Sequence, residues 1–176
     1  MLKQCRFSSI KLKNHLKNHL NKIPIQNKNM IGKYGSKILY GINQPYSIIH
    51  NQTELYPMSE LIDYIYTTLS LSNVNVGPNF HLLQKRYHII PQESLLDLNN
   101  DLNVLYNFEK NYKFENLKHN NYSVLYYYNM DANVVLETSD GIYEPKESDL
   151  LIINNNYKHT IKKNIGTFDI LRFKFY

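Results

Sequence analysis

Residues 144–166 read E-P-K-E-S-D-L-L-I-I-N-N-N-Y-K-H-T-I-K-K-N-I-G, and D-I-L-R-F-K-F follows at 169–175. A proline-bearing turn leads into a short apolar run, polar residues interrupt it, and a second run rich in branched and aromatic side chains follows. That is strand, break, strand. Working outward, Y-S-V-L-Y-Y-Y (122–128) and N-V-V-L-E-T (133–138) have the same character, and Ser139-Asp140-Gly141 and Asn164-Ile165-Gly166 supply turn formers. Four or more antiparallel strands are expected after Tyr112. In the last run Leu171, Phe173 and Phe175 alternate with Arg172 and Lys174. This is the pattern of a strand with one wet face, or of one whose polar side lines a pocket. A sheet of this kind must close, pair or be covered, and a double-sheet jelly roll is one of the few ways to do so.

Toward the N-terminus the period changes. S-E-L-I-D-Y-I-Y-T-T-L-S-L offers Ser59 as a cap, early acids, and Leu61, Ile62, Ile65 and Leu69 on one face, which predicts a helix ending near Leu71. Ser94-Leu95-Leu96-Asp97 resembles a capping box, and Leu95, Leu98, Leu102 and Leu105 continue it at helical spacing, predicting a second helix over 94–108. Between the two, Q-K-R-Y-H-I-I-P reads as a strand closed by Pro91. Earlier still, Gly32, Gly35, Gly41 and Pro45 punctuate a lead-in with one short strand, K-I-L-Y. The fold class expected is α+β, an antiparallel jelly roll with two N-terminal helices packed on it.

With 176 residues and 43% apolar content the chain is long enough for one domain with a true core. Its single cysteine, Cys5, excludes an internal disulfide and any CxxC metal site. Charge is unevenly distributed. Residues 1–53 carry nine Lys/Arg and no acid, whereas 54–176 carry eleven Lys/Arg against fifteen acids, a net of −4. No run reaches the roughly 18 apolar residues of a membrane-spanning helix. Asparagine is abundant (24 residues) beside Lys, Ile and Tyr, all with A/T-rich codons, so N-N-N at 154–156 reflects codon bias as readily as design.

The acid-free front end places Leu12, Leu16 and Leu20 on one helical face with Lys, Asn and His between them. This basic amphipathic stretch resembles a mitochondrial presequence, with R-F-S-S at 6–9 like a cleavage context, although lysine outnumbers arginine. The expected division is residues 1–30 as a targeting segment or basic arm and 31–176 as the jelly-roll domain, located in the mitochondrial matrix. The basic character runs on through Lys37, so an RNA-contacting arm over residues 1–53 remains the alternative.

P-K-E-S-D-L-L-I-I, Y-K-H-T-I-K-K-N-I-G and D-I-L-R-F together resemble the second half of a cupin, or of a 2-oxoglutarate/iron oxygenase double-stranded β-helix. The family order is a Pro-x-x-Gly-Asp turn, an apolar strand, a metal-ligating His, and a strand bearing a basic residue. K-H-N-N-Y-S-V-L-Y-Y-Y is similar to the strand pair carrying the earlier His-x-acid or His-x-His. The likeness spans about residues 108–176. It implies His119 and His159 as metal ligands, Asn121 at the carboxylate position, and Arg172 as the clamp on the far carboxylate of 2-oxoglutarate, a task suited to guanidinium. Ser148 stands where the family turn has Gly.

Fe(II) in such oxygenases takes two imidazoles and a carboxylate. Asn121 offers a neutral amide instead, so the set holds two good ligands and a weak one. Glu137 and Asp131 are the acids that could replace it, and each also suits a solvent-facing position. His81 and His88 read as structural, and Tyr126, Tyr127 and Tyr128 alternate faces and cannot line one pocket together. Phosphate loops, nucleophile elbows and HExxH are absent from the sequence. The leading expectation is a non-catalytic, cupin-like mitochondrial protein, an accessory, assembly or ribosome-associated factor working in a protein complex. The alternatives are an Fe(II)/2-oxoglutarate dioxygenase using His119 and His159, and an RNA-binding protein.

Overall fold

The computed structural model describes residues 3–22, 30–31, 37–47, 58–89, 95–97, 122–131, 134–138, 141–154, 160–163 and 166–175. In chain order the elements are β1 (Lys3–Arg6), α1 (Ile10–Asn21), β2 (Met30–Ile31), β3 (Lys37–Ser47), α2 (Ser59–Leu71), β4 (Asn79–Ile89) and β5 (Leu95–Asp97). Then come β6 (Tyr122–Met130), β7 (Val134–Thr138), β8 (Gly141–Tyr143), β9 (Asp149–Asn154), β10 (Thr160–Lys163) and β11 (Gly166–Phe175). The strands form two sheets, one ordered β1-β9-β6-β11-β4-β3-β2 and one ordered β5-β10-β7-β8. Every pairing is antiparallel.

The expected strands of the C-terminal third all form, and β11 starts three residues earlier than D-I-L-R-F-K-F suggests. Upstream, K-I-L-Y is the start of an eleven-residue strand that runs through Gly41 and Pro45, with a register shift between Tyr40 and Asn43 absorbing the break. The helix expected over 94–108 is not what the chain makes where it is described. Residues 95–97 are a strand, with Leu96 opposite Ile161 and Leu95 opposite Lys162. Two leucines in a three-residue window fit an extended apolar row as well as a helical stripe, and pairing with β10 decides between them. Residues 98–108 lie outside the described set.

The two described helices are α1 and α2, and both cover one face of the larger sheet. Leu12, Leu16 and Leu20 of α1 are 1%, 0% and 0% exposed. They share a core with Leu61, Ile62, Ile65 and Leu69 of α2 and with Phe173 and Phe175 of β11. Each leucine so buried contributes roughly 2 kcal/mol. Ser9 caps α1, its hydroxyl accepting from the Leu12 N–H at 3.2 Å. Helix α2 begins at Ser59 itself, so the cap position falls to the buried Met58, which makes no side-chain capping bond.

Residues 3–21 are therefore built into the sheet's edge and outer layer. β1 pairs with β9 from Lys3↔Ile152 to Arg6↔Asp149. Phe7 continues the lock, its N–H donating to Ser148 O at 2.9 Å and its carbonyl accepting from Tyr126 Oη at 3.0 Å. Gln84 on β4 ties α1 down from beneath. Its Nε2 donates to Leu16 O (2.7 Å) and lies 2.8 Å from Tyr128 Oη, and its Oε1 sits 3.0 Å from His19 Nδ1. Beside it, Arg86 donates through Nε and Nη2 to the fully buried Asp169 at 2.8 and 3.0 Å, and Asn129 Nδ2 adds a third bond at 3.0 Å. These bonds to Asp169 push the Arg86 pKa further above its ordinary value.

Candidate anion-binding site

Strand alternation sends every second residue of β11 away from the helices. Leu171, Phe173 and Phe175 join the helix-covered core, which leaves Phe168, Ile170, Arg172 and Lys174 on the opposite face. That inner face is buried too: Leu83, Leu125, Leu151 and Ile170 are at most 2% exposed. Of the two readings the alternation allowed for Arg172 and Lys174, the wet face is excluded. Arg172 is 2% and Lys174 8% exposed.

The register fixes what lies around them. Arg172 sits between Leu83 of β4 and Leu125 of β6, and Lys174 between His81 and Ser123. One row the other way, Ile170 faces Tyr127. Arg172 Nη2 donates to Ser123 Oγ at 3.2 Å, a bond buried from solvent. Tyr127 is stacked on Phe168 with ring centroids 6.2 Å apart. Its hydroxyl is buried without a hydrogen-bond partner among the described residues, and burial, with Asp149 second, pushes its pKa up. The inner face thus brings together a guanidinium, a hydroxyl already oriented by it, a phenol with hydrogen-bonding capacity to spare, and a neighbouring Lys–His pair. This is the chemistry of a small-anion site. Leu83, Leu125 and Phe168, all fully buried, make the surroundings of these polar groups apolar.

The turn preceding β9 is held by its own backbone bonds. Ser148, at the usual Gly position, adopts φ 73°, the left-handed region that favours glycine. Its N–H donates to Tyr127 O at 2.7 Å, and Asp149 Oδ2 accepts from the Lys146 N–H at 2.8 Å. Asp149 also takes Gln4 Nε2 (2.9 Å) and Arg6 Nε (3.4 Å), which fixes the turn against β1.

His119, Asn121 and His159 lie outside the described residues. His159 directly precedes Thr160, the first residue of β10, and Asn121 directly precedes Tyr122, the first of β6. Among the described residues no cluster of three or more His, Cys, Asp or Glu could hold a metal. Asp131 is exposed just past β6, and Glu137 is the β7 partner of Thr160. By donor chemistry, two imidazoles and an amide do not make the two-imidazole, one-carboxylate set that Fe(II) takes in this fold. The set does not fit Fe(II).

The sequence pattern singled out Arg172, left Ser123 and Lys174 without a role, and read His81 as structural. Lys174 was within reach, since it shares alternation parity with Arg172. Ser123 and His81 enter only through the β6–β11 and β4–β11 registers. As expected, Tyr127 faces away from Tyr126 and Tyr128, which both join the helix-side core. On the basic front end, Arg6 is paired with Asp149 and Lys13 with Glu147, while Lys11, His15 and Lys22 are exposed along α1.

No protein-family profile and no curated protein sequence matches the chain. Among solved structures it is similar to a Pseudomonas putida prolyl-4-hydroxylase, with TM-score 0.56 and 15% identity over 98% of this chain and 90% of that one. It also aligns with a prolyl hydroxylase from Trichoplax adhaerens, solved with a peptide fragment of the hypoxia inducible factor oxygen degradation domain. That match has TM-score 0.47 and 10% identity, covering 100% of this chain and 84% of that one. A third match is the EutQ protein of Clostridium difficile, with TM-score 0.42 and 10% identity over 99% and 94%. The first of these carries the conclusion, which concerns fold alone: an antiparallel, sheet-rich architecture like that of the Pseudomonas putida enzyme.

Proposed function

We propose that the two sheets close face to face as a double-stranded β-helix, and that its interior holds a small carboxylate ligand anchored on Arg172. The observation that carries this reading is a guanidinium 2% exposed on the inner face, already bonded to Ser123 Oγ. A planar fork of donors suits a carboxylate. Tyr127 Oη, one row away, provides a further donor to the same ligand. With Asn121 at the carboxylate position of the family pattern, the protein binds without oxidising, as a ligand-responsive accessory factor of a larger complex. The probe is 2-oxoglutarate, titrated calorimetrically into the full chain. Binding that weakens at least tenfold in Arg172→Met supports the reading, on the basis that a charge-assisted hydrogen bond is worth about 1.5–3 kcal/mol. Absence of binding to the wild-type chain refutes it, and succinate released in step with 2-oxoglutarate consumption contradicts the non-catalytic part.

For location we propose the mitochondrial matrix, with residues 1–22 addressing the chain before folding and then staying in place uncut. The acid-free composition supports the first half of that statement, and the β1 pairing with the buried α1 leucines supports the second. Protease protection in isolated mitochondria, with intact mass of the imported protein, tests both halves. A mature form starting near residue 9 contradicts retention, and a cytosolic pool alone contradicts import.

A further inference from the structure

We infer that the outer face of α1 docks on the sugar–phosphate backbone of double-stranded RNA, Lys11 and Lys22 meeting phosphates at its two ends and Asn14, His15 and Asn18 meeting 2′-hydroxyls between them. This surface lies on the other side of the sheet from Arg172 and stands independently of the ligand reading above. Leu12, Leu16 and Leu20 point into the core and fix the rotation of the helix. At about 100° per residue, Lys11, Asn14, His15, Asn18 and Lys22 then form one stripe opposite them, and all five are exposed. The stripe spans about 16 Å at helical rise. Ser9 at the helix start and Gln84 beneath it hold the stripe in place. No residue of α1 is acidic, and Glu147, which reaches the helix, is paired with Lys13 on its flank. Lys11 also has an interaction within the chain and remains exposed.

The chemistry of the stripe selects the partner. An anionic membrane takes up a helix through an apolar face, and the α1 leucines are inside the fold. Single-stranded RNA is gripped by stacking its bases on aromatic rings, and α1 has no Phe, Tyr or Trp. What the face offers is a cation at each end with amides and an imidazole between. Lysines suit phosphates, whereas Asn amides and a neutral imidazole both donate and accept, as a 2′-hydroxyl does. Partial desolvation, with the charges of His19 and Lys22 second, lowers the His15 pKa, so its ring is neutral near pH 7. The wide, shallow minor groove of A-form RNA displays 2′-hydroxyls between two rows of phosphates, where a helix laid across it reaches both.

The test is fluorescence polarisation of the full chain with an RNA duplex of about 16 base pairs, with the same sequence as duplex DNA and as single-stranded RNA, and with poly-glutamate and phosphatidylglycerol vesicles as competitors. The double variant Lys11→Glu/Lys22→Glu is expected to weaken duplex RNA binding about tenfold and to lower the slope of log affinity against log salt by about 2. Duplex DNA is expected to bind about fivefold more weakly than duplex RNA, a difference that collapses in Asn14→Ala/Asn18→Ala. All four positions are exposed, and far-UV circular dichroism checks that the variants fold. Affinity unchanged by the charge reversal overturns the proposal, since the RNA is then held elsewhere on the chain. Equal affinity for duplex RNA and duplex DNA, tighter binding of the single strand, or displacement of the RNA by poly-glutamate or by the vesicles at equal charge each overturns it too. No binding of duplex RNA by the wild-type chain sinks it outright and leaves the Arg172 anchor untouched.

Discussion

The two faces of the seven-stranded sheet use the same strands for opposite ends. On the helix-covered face, the buried polar groups satisfy one another. Gln84 is bonded to Leu16 O and Tyr128 and faces His19, and Asp169 is gripped by Arg86 and Asn129. Such a closed network costs little to bury and pins α1 in one position. On the inner face, Arg172 donates to Ser123, Tyr127 Oη has no partner among the described residues, and Lys174 lies opposite His81 in the register of β11 and β4. Polar groups that close on each other make structure, whereas a buried guanidinium and phenol beside each other are donors that suit an anion. Residues of one strand, Asp169 and Arg172 among them, fall on either side of that division by parity alone.

Breaking the closed network should have the largest effect. Asp169→Ala leaves Arg86 without its buried partner and is expected to cost about 3–5 kcal/mol in urea unfolding, with carboxylate affinity of the folded fraction unchanged. Loss of affinity at unchanged stability would mean that the two faces are not separable in the way described.

Alkaline pH should come next. Burial, with Glu147 second, pushes the Tyr126 hydroxyl up to about 12, and burial is the first cause of the upward shifts at Tyr66, Tyr127 and Tyr128. These groups stay protonated in the fold while the unfolded chain ionises near the ordinary tyrosine value of about 10. Their contribution to stability is therefore complete below pH 10 and is lost as pH rises through 12. Tyrosinate absorbance is expected to lag at pH 10–11 and then rise together with loss of secondary structure. Titration of all sixteen tyrosines before unfolding would contradict the burial assigned to them.

The smallest effect is expected at the turn between β8 and β9, which joins the two sheets. Ser148 holds φ 73° without being glycine, so Ser148→Gly should raise stability by about 1 kcal/mol. A loss of similar size would show that the serine side chain makes a contact outweighing the backbone strain.

Much of the architecture was legible from local pattern. Branched and aromatic runs marked β6, β7, β9 and β11, and the alternation around Arg172 placed it opposite Leu171 and Phe173 before any coordinates. What could not be read were features decided by distant partners. Leu95-Leu96 carries the same hydrophobic signal as strand or helix, and Ile161 settles it. The α1 leucine stripe looks alike whether its destination is an import receptor or the outer face of this sheet. Ser123 and His81 have no local signature at all, because each joins the site through a register set by β11. His119, Asn121 and His159 belong to the family pattern but lie outside the described residues, so the site stands on Arg172 and its neighbours.

The central claim is that Arg172 anchors a carboxylate inside the fold. A crystal structure of the full chain grown with 2-oxoglutarate tests it most directly. The account predicts a ligand carboxylate within about 3 Å of the Arg172 guanidinium, on the side of the sheet facing away from α1 and α2. A ligand bound elsewhere, or an Arg172 side chain fully enclosed by protein groups with no ligand beside it, would contradict it.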